Sequence, residues 1–258
     1  MKLTVFASGS TGNCALLQGG GAAVLLDAGI SARRIRTALA ESGVSAPDGI
    51  FITHEHSDHT KGLPVFLKQL PVRVYAPETV SDHLRRTLPG ALSMLVETIE
   101  PGRSMTIGDM TVTAFPTPHD TPQSVGYRLE ADGAVFALAT DTGCVTNTML
   151  EYLTGADAVL IEANHDVAML KAGPYPAYLK KRILAPTGHL SNAECTWLAS
   201  VLAQRGTGTV ILGHISRENN IPGLALRTVR RGLEGTCARI CLAPEQGRLE
   251  VSVEPCCV

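Results

Sequence analysis

Short apolar runs alternate along the chain with longer stretches in which apolar residues recur every third or fourth position. The short runs, rich in Val, Ile, Leu and Ala, predict strands at residues 3–7, 22–27, 49–53, 72–75, 110–115, 125–130, 134–140, 158–161, 209–212, 238–242 and 249–253. Helical spacing predicts helices over 31–41, 62–70, 77–88, 147–153, 175–184, 191–204 and 224–233. One helix start has a defined mechanism: Ser191, followed three positions later by Glu194, fits a capping box. Strands interleaved with helices predict a layered α/β fold in preference to a bundle or an all-β sandwich. No internal repeat or low-complexity segment interrupts the pattern.

Against this pattern, the positions of the polar residues stand out. Asp27, His54, Asp141, Glu162 and His214 each fall at or just beyond the C-terminal end of a predicted strand, where α/β enzymes gather chemistry on their loops. The densest cluster is 53-THEHSDHTKG-62. His54 and His56 lie two residues apart, so in an extended segment they project to one side and can reach one ion. Asp58 and His59 follow as the chain turns toward the helix at 62–70, and can point to a second. Imidazole and carboxylate donors suit zinc, manganese or iron and disfavour calcium. A structural zinc would be closed by four ligands, usually including cysteines, so a His/Asp set favours an open, catalytic site.

Length, charge and cysteine usage narrow the setting. The 258 residues hold no Pro/Ser-rich or single-sign linker, which predicts one domain spanning 1–258. A formal charge of −2 excludes a protein that coats nucleic acid through overall positive charge, but leaves room for local grip on a phosphodiester. The opening MKLTVFASGSTGN turns small and polar after a brief apolar run, and no later run reaches spanning length, so a cytoplasmic protein is expected. Cys14, Cys144, Cys195, Cys237, Cys241, Cys256 and Cys257 show no Cys-x2-Cys pairing and read as reduced thiols, with Cys256 and Cys257 candidates for reactivity. Aromatic residues make up only 4% of the chain, so extensive base stacking is not expected, and recognition should centre on backbone and ends. Basic clusters at Arg33, Arg34 and Arg36, at Arg85 and Arg86, at 180–182, and at Arg227, Arg230 and Arg231 lie on predicted helices. Each reads by default as a solvated face, but a DNA substrate would require one or two of them to border the metal edge.

The arrangement His54-x-His56-x-Asp58-His59 after an apolar strand resembles the metal motif of the metallo-β-lactamase superfamily. The resemblance implies an αββα four-layer sandwich with two divalent metals at one edge, between the sheets. The remaining motif positions occur in order: Asp27 in 24-VLLDAG-29, His119 in 116-PTPHD-120, Asp141 in 139-ATDTG-143 and His214 in 211-ILGHIS-216. By this carry-over His54, His56 and His119 hold one ion, Asp58, His59 and His214 the other, Asp141 bridges both, and Asp27 supports the metal loop. Two ions roughly 3.5–4 Å apart can turn a shared water into a bridging hydroxide nucleophile and clamp the attacked group.

Four further stretches, 7-ASGSTGN-13, 160-LIEANHD-166, 188-GHLSN-192 and 213-GHISRENN-220, resemble the YycJ/WalJ family within that superfamily. This implies a metal-dependent exonuclease acting on DNA from the 5′ end, with Asp58, His189 and Glu162 as catalytic residues. Glu162 would orient His189 and raise its pKa, so that His189 protonates the leaving oxygen. Phosphate contacts are expected from backbone N–H groups of the Gly-rich turn holding Ser8, Ser10 and Asn13 and from the helix N-terminus at Ser191, while Asn219 and Asn220 are placed either to hydrogen-bond nucleotide or to fix the ligand loop. His165 is placed near the metals or behind their ligands. Three alternatives stay open: a ribonuclease Z-type RNA-processing nuclease, a thiolester or small phosphodiester hydrolase on the same metals, and a scaffold that keeps metal for stability.

Overall fold

The structure, a computed structural model, describes residues 1–255. Cys256 and Cys257 lie outside the described residues. Two mixed sheets of seven strands pack face to face. In chain order the first sheet takes β1 (Lys2–Ala7), β2 (Cys14–Gly19), β3 (Ala22–Leu26), β4 (Gly49–Phe51), β5 (Val74–Ala76) and β6 (Val96–Thr98). The second takes β7 (Ser104–Ile107), β8 (Met110–Pro116), β9 (Val125–Ala131), β10 (Ala134–Ala139), β11 (Ala158–Glu162), β12 (Thr209–Gly213) and β13 (Arg239–Leu242), before β14 (Leu249–Ser252) returns to pair with β1. Both sheets follow one plan: β14-β1-β2-β3 and β7-β8-β9-β10 are antiparallel, then β3-β4-β5-β6 and β10-β11-β12-β13 run parallel.

The apolar runs are continuous because the central strands are covered on both faces. In β3, Val24 and Leu26 enter the core between the sheets, while Leu25 turns outward under helices. In β10, Phe136 and Leu138 face the opposite sheet, and Ala137 and Ala139 face helices. Helices α1 (Ala32–Glu41), α3 (Leu63–Gln69) and α4 (Glu78–Thr87) cover the first sheet through Ile35, Leu39, Phe66, Leu67, Val80 and Leu84. Helices α5 (Asn147–Leu153), α8 (Asn192–Gln204) and α9 (Pro222–Gly232) cover the second through Met149, Leu153, Leu198, Leu202 and Val229. The result is the expected helix–sheet–sheet–helix order, and the predicted capping box forms at Ser191 and Glu194.

Six elements go beyond the sequence pattern: β2, β6, β7, α2 (Ser57–Thr60), α6 (Val167–Ala172) and a short 3-10 helix at Gly90–Leu95. β2 sits among glycine-rich turns, β6 has three residues, and β7 is a sheet-edge strand with alternating exposure; each is fixed by its pairing partner more than by its own pattern. The single turn α2 carries Asp58 and His59, and tertiary contacts specify it. A third short helix outside the sheets' covers, α7 (Ala177–Ile183), lies within the region predicted at 175–184. Cys14 and Cys195 are buried, Cys144 and Cys241 half-buried and Cys237 exposed, all as free thiols. No helix among the described residues is long and apolar enough to cross a membrane.

Candidate metal centre

Parallel strands end together, and their C-terminal ends bring distant residues to one edge between the sheets. Asp27 follows β3, His54 follows β4, Asp141 follows β10, Glu162 closes β11 and His214 follows β12. Asp27, Asp141 and His214 adopt φ of 60°, 55° and 51°, a left-handed conformation that a side chain other than glycine enters only at a cost. At each of the three, the chain leaves its strand in a sharp turn.

The loop carrying the His/Asp motif is held from below by backbone contact. The amide of Asn13 donates to Asp58 O (2.7 Å), that of Ala28 to His59 O (2.8 Å), and that of Gly62 to Ala28 O (2.9 Å). Such an approach leaves no room for a side chain at Gly29, where a Cβ would sit 1.5 Å from Asp58 O. Across the sheets, Tyr127 Oη donates to Ile52 O (2.7 Å) and the Val125 amide to Thr53 O (3.1 Å), tying the end of β4 to β9.

Four of the clustered histidines have one ring nitrogen anchored and the other aimed inward. His59 Nδ1 meets Asp27 Oδ2 at 2.8 Å, and His214 Nδ1 meets Glu162 Oε1 at 2.7 Å. His54 Nδ1 meets Thr53 Oγ1 at 3.0 Å, and His119 Nδ1 meets Gly188 O at 3.3 Å. Asp27 is itself fixed by the Thr53 amide (2.9 Å) and hydroxyl. The inward atoms then converge: His54 Nε2 is 3.1 Å and His119 Nε2 3.3 Å from His56 Nδ1. His59 Nε2 lies 3.3 Å from Asp141 Oδ2, and His214 Nε2 lies 3.4 Å from Asp141 Oδ1. His54, His56 and His119 form one group whose donor atoms lie within 4.8 Å of one another; Asp58, His59 and His214 form another, and Asp141 groups with His54 and His59.

Charge indicates what this arrangement accommodates. Asp27, Asp141 and Glu162 are buried, and every ion pair of Asp58, Asp141 and Glu162 among the described residues is with histidine, none with lysine or arginine. Burial opposes charge on His59 and His214, yet the surrounding carboxylates, Asp27 and Asp141 for His59 and Asp141, Asp58 and Glu162 for His214, hold both pKa values well above the ordinary one. His54 is held well below by burial and by its histidine neighbours. The set therefore favours cations at its centre, and Asp141 Oδ2 and His214 Nε2 are buried without a hydrogen-bond partner. Lone-pair donors fixed by outer hydrogen bonds, with buried carboxylates awaiting positive charge, fit divalent metal ions.

Beside this cluster, His189 Nδ1 lies 2.7 Å from Glu162 Oε1, so one carboxylate oxygen serves both His189 and His214. Glu162 Oε2 also accepts the amides of Thr142 (3.1 Å) and Leu190 (3.2 Å). The donor atoms of Glu162, Asp141, His189 and His214 also lie within 4.8 Å of one another, but these four hydrogen bonds occupy Glu162 as an orienting group. Burial raises its pKa, and the two histidines outweigh that, holding it at about 2. Burial opposes charge on His189, but Glu162 holds its pKa above the ordinary value.

Of the residues expected at phosphate, Ser10 lines the cleft at the metal edge. The others turn inward. Ser8 Oγ accepts the His214 amide (2.9 Å), Asn13 braces Gly9 and reaches His59 Nε2 (3.0 Å), and Ser191 Oγ is committed to Glu194 (2.7 Å). Asn219, 1% exposed, packs in the turn at Ser216, and Asn220 pairs with Asn192. The side chains of Ser8, Asn13, Ser191 and Asn219 thus build the loops that carry the ligands, which for Asn219 is the loop-fixing alternative. His165 is buried next to Ser191 with neither ring nitrogen hydrogen-bonded, and belongs to none of the convergent groups.

Asp120 and Arg182 went unassigned in the sequence. Asp120 Oδ1 lies 3.4 Å from His119 Nε2, while Oδ2 pairs with Arg182 of α7. Adjacency to His119 was the available signal for Asp120, and Arg182 was marked only as part of the basic cluster at 180–182, without a partner. A larger cleft, about 530 Å³ between Arg33, Arg34, Glu41 and Arg248, contains none of the convergent groups.

Comparison with known proteins agrees with this geometry. Residues 22–215 match the family model described as the beta-lactamase superfamily domain. The chain is 39% identical over 233 residues to the exodeoxyribonuclease WalJ of Streptococcus pneumoniae, covering 88% of this chain and 86% of that one. It is 35% identical over 239 residues to the exodeoxyribonuclease YycJ of Bacillus anthracis, covering 91% and 89%. Among solved structures, the metallo-beta-lactamase fold protein YhfI of Bacillus subtilis superposes with a TM-score of 0.73 at 16% identity, covering 97% of this chain and 99% of that one.

Proposed function

Because this chain belongs to the metallo-β-lactamase superfamily, and within it to the family of the YycJ and WalJ exodeoxyribonucleases, we propose that it is a dinuclear metal-dependent exonuclease cleaving DNA from the 5′ end. In this reading His54, His56 and His119 hold one ion, Asp58, His59 and His214 the other, and Asp141 both. When bound, two such ions supply hydroxide at neutral pH and neutralise charge on phosphoryl oxygens. The ions are zinc, manganese or iron, since His/Asp donors accept all three.

The observation that carries the phosphodiester reading is the shared oxygen of Glu162, 2.7 Å from both His189 and His214. Through it, the carboxylate fixes a ligand's ring and holds a proton on the neighbouring His189, which lines the cleft beside His214 and Asp120. A histidine kept protonated at the rim of a cation site is suited to protonate the departing alkoxide of a phosphodiester, a step worth roughly 10²–10⁴-fold in rate. Thr53 and Asp27 contribute by holding His54 and His59 in their ligating tautomers.

The test is to incubate manganese- or zinc-loaded protein with 5′-labelled duplex DNA, RNA, bis(p-nitrophenyl) phosphate and a glutathione thiolester. Release of mononucleotides from the 5′ end of DNA is expected; turnover of the thiolester alone would refute the reading. His189→Ala should slow DNA cleavage sharply with metal content unchanged, and loss of metal would move His189 from acid to ligand.

A further inference from the structure

The cleft at the metal edge, about 230 Å³, has two unlike walls. One carries Asp120, His189 and His214; the other is built from Tyr175, Leu179, Arg182 and Ile183. We propose that this second wall, residues 175–184, docks the end of a DNA strand. In this proposal Tyr175 stacks on the base next to the scissile phosphate, Tyr178 stacks on its neighbour, and the cations of α7 meet the backbone. The inference rests on the exonuclease reading and specifies its substrate subsite.

Three observations support it. First, the few aromatic side chains are unevenly placed: of five tyrosines, Tyr75 and Tyr127 are buried and Tyr152 stacks on Phe115 at 5.2 Å, leaving Tyr175 on the cleft wall and Tyr178 exposed on α7, the helix that builds that wall. Tyr178 is 75% exposed, and an aromatic ring so exposed beside a polar site marks a contact surface more than a core position. The scarcity of aromatics is thus compatible with a platform of two rings.

Second, the charge is complementary to a phosphate backbone. Lys180, Lys181 and Arg182 follow in succession, and one helical turn sets Arg182 on the same face as Tyr178. Arg182 pairs with Asp120, itself beside His119, so the basic end of α7 is pinned to the metal centre. Rings that accept any base, interleaved with cations, are the usual means of gripping a single strand without sequence preference.

Third, the platform is stiff and small. Tyr175 lies between Pro174 and Pro176, which restrict its backbone on both sides and lower the ordering cost of binding. The cleft falls below the roughly 300–1,000 Å³ of sites for drug-sized ligands, which suits one nucleotide unit and not a base pair.

The experiment compares Tyr175→Leu, Tyr178→Leu and the corresponding phenylalanine variants as metal-loaded enzymes on a 5′-phosphorylated single-stranded oligonucleotide with 2-aminopurine near its 5′ end. Each leucine variant should raise KM about 5- to 150-fold with kcat retained, and the phenylalanine variants should keep the wild-type KM, because stacking needs the ring and not the hydroxyl. Quenching of 2-aminopurine should accompany binding to the wild-type and phenylalanine proteins and be absent with leucine. Wild-type KM and quenching in both leucine variants, with DNA still cleaved, would overturn this inference alone. Absence of DNA cleavage by the wild type would overturn the functional reading and this inference with it. Should Tyr175→Leu disturb folding, Tyr178→Leu decides, since its exposed ring supports no core.

Discussion

Replacing Glu162 by glutamine keeps size and shape but changes which atoms can accept a hydrogen bond. The carboxylate accepts four donors: the Thr142 and Leu190 amides at 3.1 and 3.2 Å, and the Nδ1 atoms of His189 and His214 at 2.7 Å each. A glutamine offers one oxygen. If that oxygen stays with the two amides, the NH2 group faces both rings, and His214 must accept at Nδ1 and carry its proton on Nε2, the atom needed for a metal. If the amide flips, its NH2 opposes two backbone N–H groups, and a buried donor left unsatisfied costs about 1–3 kcal/mol. Either way the ligating state of His214 is disfavoured by about 1.4–2.7 kcal/mol, or 10–100-fold in affinity, the usual size of an outer hydrogen-bond effect on a metal site. Glu162→Gln should therefore weaken the ion at Asp58, His59 and His214 by that factor and leave the ion at His54, His56 and His119 in place. Competition titration against a chelating dye, with metal counted after gel filtration, measures both sites, and nitrogen NMR of the histidines reports the tautomer. Two tightly held ions and an Nδ1-protonated His214 in the variant would refute the argument.

Three other outcomes are expected. Glu162 holds the His189 proton above the ordinary value of 6.5, so the acid is competent below that raised pKa and lost above it; kcat/KM should decline as pH rises through it, and His189→Ala should abolish that alkaline limb of the pH profile. Gly29→Ala drives a Cβ against Asp58 O at 1.5 Å, backbone that has nowhere to move; urea unfolding should show a loss of about 4 kcal/mol or more, with metal content reduced, and an unchanged midpoint would contradict the packing described. Chelation should stop turnover and also lower thermal stability, because buried Asp141 then lacks its metal counter-charge: ions present at a hundred times Kd stabilise by about 2.7 kcal/mol, or about 5–11 °C in a chain of this size; manganese or zinc should restore both.

Much of the fold is legible because two-sided burial leaves a clear mark. The runs around Val24, Phe136, Leu160 and Ile211 are apolar at consecutive positions, and such short runs between amphipathic helices mean sheets covered on both faces. The predicted helices fall within a few residues of those observed, since Ile35, Leu39 or Leu198, Leu202 keep helical spacing wherever they pack. β6, β7 and α2 were not legible: three or four residues carry too little periodicity, and their conformation comes from neighbours.

At the site, the residue types and their order announce chemistry, because imidazole and carboxylate in close succession after a strand have few other uses. Sequence alone identified His54, His56, Asp58 and His59 as candidates together and set Asp27, Asp141, Glu162 and His214 at strand ends, and resemblance added His119 and the role of each ligand. Only the tertiary structure decided which nitrogen each ring points inward, that Glu162 divides one oxygen between His189 and His214, that Ser8, Asn13, Ser191 and Asn219 spend their polar groups inside the protein, and that Asp120, Arg182 and Tyr175 meet at the same edge. The reason is physical: donor type and local period belong to the chain, whereas the direction of a side chain and the partners it meets are set by how strands far apart in sequence end side by side.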